Sequence, residues 1–144
     1  MKIPGPDHPI AIRPAGRRMR ARIGQHLIAD TTEALLLSEA DYPPVAYFPR
    51  DGVETGFLSK TDRSSHCPYK GDASYYSILI NGELLENVVW SYEAPFPAME
   101  EIAGRLAFYT DRVEVYAPEP ESERGLFPEH LQEGVTRPRG DSLS

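Results

Sequence analysis

Fourteen prolines and eleven glycines cut this 144-residue chain into short runs, and that punctuation constrains its fold more than any other feature. Proline breaks a helix interior and glycine supplies the positive φ of tight turns, so short strands joined by turns are favoured over long helices. The length suits one domain with a single hydrophobic core. Arg18 to Ile23 alternates strictly, with Met19, Ala21 and Ile23 on one face and arginines on the other, which predicts a half-buried strand. His26 to Asp30 and the apolar run Ala34 to Leu37 follow. Val45 to Phe48, bracketed by Pro43-Pro44 and Pro49, reads as a short or edge strand. Ala73 to Ile80 then meets Asn81-Gly82, the positive-φ pair of a tight hairpin, and the returning arm runs from Glu83 to Tyr92. Met99, Ile102, Ala103 and Leu106 recur at helical spacing behind Pro97 and predict one short helix. Val113 to Tyr116 alternates again as a last strand.

The two ends differ from this middle. Residues 1–17 hold four prolines and two glycines without periodicity and read as an extended N-terminal arm. Residues 118–144 are acidic and read as a solvated, flexible tail, which leaves 18–117 as a single domain. Hydrophobic residues make up 40% of the chain and charged residues 26%, the balance of a globular protein. No apolar run approaches the roughly 20 residues that span a bilayer, and the N-terminal residues carry no apolar signal core, so a cytoplasmic protein without membrane association is expected. A formal net charge of −7 repels a phosphate backbone, which argues against nucleic acid as a partner. The arginines at 13, 17, 18, 20 and 22 form either a phosphate-attracting patch or a solvated strand face neutralised by acidic neighbours.

The richest chemistry lies between Thr61 and Asp72, a stretch framed by Pro68 and Gly71 that reads as a loop able to present several polar side chains. Its candidate catalytic residues are His66 as a proton carrier, Cys67 as a thiolate nucleophile and Lys70 as a cation. A lone cysteine can equally be a small buried hydrophobe, and adjacent side chains such as His66 and Cys67 usually point apart. Candidate ligand-binding residues are Arg50, Tyr69, Lys70, Tyr75, Trp90 and Tyr92. In that set Arg50 and Lys70 would grip an anionic small molecule and the aromatics would wall it. Arg50 has an alternative role as a structural pair with Asp51, Asp72 or Glu93, and the aromatics an alternative role as core. No phosphate-cradling glycine loop, dinucleotide fingerprint or paired-histidine metal motif is present, so neither a cofactor nor a metal is expected.

Tyr42 to Arg50 (Tyr-Pro-Pro-Val-Ala-Tyr-Phe-Pro-Arg), His66 to Tyr75 (His-Cys-Pro-Tyr-Lys-Gly-Asp-Ala-Ser-Tyr), Trp90-Ser91-Tyr92, Ile102-Ala103-Gly104 and Ala107-Phe108-Tyr109 together resemble the bacterial family known as domain of unknown function 427. The resemblance covers about Arg18 to Tyr116. It implies a mainly β, β-tent-like architecture similar in topology to Mss4-like proteins, with antiparallel sheets enclosing a cleft. Many β-tent relatives hold zinc through cysteine pairs, which this chain lacks. The family also carries a nucleotidyltransferase-like label, yet the paired acidic metal ligands of that chemistry have no match here. A small-molecule cleft site, catalytic or not, is therefore the leading expectation. The alternative is a module for protein–protein contact or homo-oligomerisation, and redox sensing through Cys67 is a third possibility.

Overall fold

The alternation that marks residues 19–23 is realised as a strand, and the same logic organises most of the chain. The structure, a computed structural model, describes residues 1–119, and the acidic segment expected from 118 onward lies outside the described residues beyond that point. Among the described residues ten strands form three antiparallel sheets. In the first, β4 (Leu35–Glu39) lies between β1 (Ile10–Pro14) and β5 (Val45–Tyr47). In the second, β2 (Met19–Ile23) lies between β3 (His26–Thr31) and β10 (Glu114–Tyr116). The third runs in the order β6 (Leu58–Cys67), β7 (Gly71–Ile80), β8 (Glu83–Ser91), β9 (Ala107–Phe108). The mainly β class and its antiparallel sheets are as the residues predict. Among the described residues no helix is long and apolar enough to cross a membrane.

Local chemistry explains the agreement at the hairpin. Asn81 and Gly82 take φ of 53° and 77°, and Ile80 pairs with Glu83 across the two-residue turn. The prolines around β5 hold it to three residues at a sheet edge, where a missing N–H costs no ladder bond. The arginine face of β2 is neutralised: Arg18 and Arg20 meet Asp30 at 2.8 and 3.3 Å, and Arg22 meets Glu114 at 2.8 Å.

Three local expectations need correction. Residues 10–14 are extended but not outside the domain: they form the edge strand β1, in register with β4 from Ile10–Glu39 to Pro14–Leu35. Ile10 and Ile12 supply its half-buried face, and Pro9 and Pro14 merely bound it. Residues 61–67 are not a loop: they complete the edge strand β6, whose polar residues on both faces hide the period-2 signal, and only Pro68 to Lys70 turn the chain into β7. The helical spacing at 99–106 yields only 3-10 turns over Pro97–Ile102, kinked at Met99 and ended as Gly104 takes a φ of 74°.

Two apolar clusters lie on opposite faces of the same strands. Phe48, Tyr76, Ile78, Val89 and Phe108 belong to one, with Phe48 and Phe108 edge-to-face at 5.5 Å. Tyr47, Tyr75, Tyr92 and Ala107 belong to the other, together with Leu37, Met99 and Ile102. The residues of each neighbouring pair, Tyr47 and Phe48 or Tyr75 and Tyr76, separate because successive side chains of a strand point to opposite faces.

Candidate functional site

Strand parity decides which of the candidate residues meet. Tyr75 on β7 is paired directly with Trp90 on β8, so both rings stand on one face, and Tyr92, two residues beyond Trp90, stands with them. Tyr47 reaches this face from β5; its hydroxyl accepts a hydrogen bond from Trp90 Nε1 at 3.2 Å, with the rings perpendicular at 6.4 Å. Tyr109 closes the other side of the indole at 4.7 Å. These five aromatics wall a hollow of about 280 Å³. That is close to the lower end of known ligand pockets and suits one ring with short substituents.

The charged end of the hollow is Lys70. Pro68 and Gly71 bracket it in the β6–β7 turn, where Gly71 takes φ of 111°, and the Lys70 carbonyl accepts from Phe96 N–H at 3.0 Å. A Cβ at position 71 would meet Pro95 and Phe96 backbone only at an ordinary 3.5 Å, so it is the positive φ that calls for glycine in this turn. The turn thus directs Lys70 inward, 7% exposed, with Nζ 5.9 Å from the Tyr92 ring centre and 2.5 Å from Glu39 Oε1. The other Glu39 oxygen meets His8 Nε2 at 2.6 Å. His8 in turn stacks on Tyr69 at 4.1 Å, and Lys2 N–H donates to the Pro68 carbonyl at 2.7 Å, which ties the N-terminal residues to the turn.

Electrostatics follow from this burial. Desolvation pushes the Glu39 carboxyl up, but the hydrogen bonds from Lys70 and His8 outweigh it and hold the carboxyl below its ordinary value. Burial drives the Tyr47 and Tyr92 hydroxyls well above theirs, so both remain neutral O–H donors at any physiological pH. Burial, aided by the Tyr75 hydroxyl, pushes Tyr109 up to about 12.

Of the residues singled out from the sequence, Lys70, Tyr75, Trp90 and Tyr92 therefore converge. Tyr69 lies behind the turn against His8. Cys67 is half-buried against the cluster that contains Tyr47 and Tyr92. His66 points away: its ring, 60% exposed, bonds Asp72 at 2.7 Å and meets the Phe96 edge at 6.1 Å. Arg50 also lies outside the hollow. Beyond the end of β5 it opens a 3-10 turn after Pro49 and reaches the opposite face, where it donates to the Gly104 carbonyl at 2.7 Å and to Tyr76 Oη and Glu93 Oε2, both at 3.1 Å. Glu93 also accepts from Lys60 at 3.2 Å and from the Tyr76 hydroxyl. Arg50 has taken its structural role.

Sequence reasoning missed Glu39, His8, Tyr47 and Tyr109. Tyr47 was legible only in part: alternation separates it from Phe48, but its meeting with Tyr75 and Tyr92 depends on how the sheet of β5 packs on that of β7. Glu39 and His8 carried no local signal, because each is an ordinary polar residue whose partners are distant in the chain. Among the described residues no group of three His, Cys, Asp or Glu side chains is arranged to hold a metal ion.

The family model described as "Domain of unknown function (DUF427)" matches residues 11–119. No curated protein matches the chain. The chain belongs to the domain of unknown function 427 family.

Proposed function

We propose that this member of the domain of unknown function 427 family binds a small molecule in the hollow between Tyr47, Tyr75, Trp90 and Tyr92, its flat part against the rings and an oxygen-bearing end at Lys70. The observation that carries this reading is the Lys70 ammonium, 7% exposed, at the end of an aromatic-walled hollow. Burying an ammonium is costly, and packing alone gives no reason to place one there. Glu39 already balances its charge, so a multiply charged anion such as a phosphate competes with that carboxylate. A carbonyl or a single carboxylate is the end group that fits. Arg50, engaged with Glu93, is not needed. The setting we propose is the cytoplasm, where a lone thiol such as Cys67 stays reduced, with no nucleic acid involved given the net charge of −7.

The test is a thermal-shift screen with small ring compounds carrying a carbonyl or carboxylate, run on wild type, Lys70→Met, Trp90→Ala and Arg50→Ala. A ligand at about 100 times its Kd stabilises the fold by about 2.7 kcal/mol. The shift should vanish in Lys70→Met and Trp90→Ala and persist in Arg50→Ala. A shift that survives loss of Trp90 and Lys70 but not of Arg50 moves the site to the other face.

A homo-oligomer is the rival reading, and one observation favours it: Leu79 and Leu84, 54% and 53% exposed, face each other near the hairpin tip in a sheet whose β6 edge has no partner strand among the described residues. Sedimentation at rising concentration separates the two, since a concentration-dependent dimer weakened by Leu84→Lys would support the rival.

A further inference from the structure

We infer that Lys70 is a nucleophilic amine that condenses reversibly with a small aldehyde or ketone held against the aromatic walls, an inference that rests on the binding reading above. Its side chain is 9% exposed, whereas that of Lys60 is 56% exposed. An amine does chemistry only after losing its proton, and the arrangement supplies a path for it. Lys70 Nζ touches one oxygen of Glu39, and the other oxygen touches the His8 ring, 27% exposed at the rim. One carboxylate thus joins a buried amine to an imidazole that meets solvent.

The step balances without an external reagent. The Lys70 ammonium gives a proton to Glu39, and the freed lone pair attacks the carbonyl carbon. The new C–N bond forms as the C=O π pair moves to oxygen, which takes up that proton. Transfer of a second nitrogen proton through Glu39 to the same oxygen lets water leave as the nitrogen lone pair closes the C=N bond. Ammonium and carbonyl have then become a protonated imine and water, with no change of oxidation level. The cation remains beside the Glu39 carboxylate, which its hydrogen bonds keep ionised. The neutral hydroxyls of Tyr47 and Tyr92 are the nearby donors for the oxygen while it carries charge.

The chain contains only three lysines, Lys2, Lys60 and Lys70, which makes the test internal. The full chain is incubated with benzaldehyde and cyanoborohydride at neutral pH, and benzyl adducts are quantified at each lysine by peptide mass spectrometry. The inference expects Lys70 to be labelled ahead of Lys2 and Lys60 despite its burial. In Glu39→Gln, labelling of Lys70 alone should fall by about a hundredfold, the usual worth of a positioned general base. Lys70 reacting slowest of the three, as burial alone dictates for a structural ammonium, overturns it. That wild-type comparison decides even if the variant folds poorly. Thermal stabilisation by benzaldehyde without any adduct at Lys70 would remove the condensation and leave the binding reading standing.

Discussion

Two charged clusters of similar ingredients lie one on the Tyr75 and Tyr92 face of the β7–β8 pair and one on its Tyr76 face. Glu39 gathers Lys70 and His8 beside Tyr47 and Tyr92; Glu93 gathers Arg50, Lys60 and the Tyr76 hydroxyl. In both, a carboxylate held below its ordinary value bridges two basic groups. They differ in solvent. The side chains of Lys70 and Glu39 are 9% and 19% exposed, while those of Arg50, Lys60 and Glu93 are 42%, 56% and 35% exposed. In water the Coulomb gain is screened and the cluster only tidies a surface. Beneath aromatic rings the same charges interact strongly, cost more to desolvate and can act on a bound molecule. Burial, more than composition, separates the two clusters.

That contrast is open to attack by mutation. The largest effect is expected from Lys70→Met, which leaves Glu39 part-buried with His8 as its remaining partner and should cost about 3 kcal/mol in urea unfolding, toward the low end for breaking a buried pair. Adding Glu39→Leu should recover part of it. If Arg50→Met costs as much as Lys70→Met, the distinction between the faces fails. Gly71→Ala comes next. It strains a backbone held at φ 111° and should lose about 2 kcal/mol, together with ligand-induced stabilisation, because the same turn aims Lys70.

Acid titration probes both carboxylates at once. For Glu93 the Tyr76 hydrogen bond leads the downward shift; for Glu39 the bonds from Lys70 and His8 prevail over burial. Each folded-state value lies below the ordinary 4.5. The unfolded chain therefore takes up protons first, and the stability these groups contribute, full above that ordinary value, declines as pH falls through it toward the folded values. Replacing Glu39 by Gln should flatten that decline more than replacing Glu93 by Gln; the reverse order would say that the exposed cluster matters more. The smallest change is expected from Lys60→Ala, under about 0.5 kcal/mol by the same unfolding measurement, since an exposed ion pair contributes little.

Much of this fold was legible before any coordinates. The Asn81-Gly82 hairpin, the half-buried β2, the short edge strand β5 and the grouping of Tyr75, Trp90 and Tyr92 all follow from local rules of turn chemistry and alternation. Two strands were not. β6 is polar on both faces, so no alternation marks it, and β1 hides between prolines that look like the signature of a free arm. Arg50 escapes the local rules for a different reason: its place just past a strand suggests reach into a pocket, while the 3-10 turn it opens after Pro49 carries it to Gly104, Tyr76 and Glu93 on the other side of the sheet.

What residue order determined by itself was which side chains share a face, because a strand's period of two and a two-residue turn are properties of neighbouring backbone. What only tertiary structure decided was the company Lys70 keeps. Its carboxylate lies 31 positions away on another sheet, and that carboxylate's second partner, His8, is a further 31 positions back. Contacts of that separation depend on how independent sheets pack, and packing is set by the whole set of buried surfaces rather than by any motif.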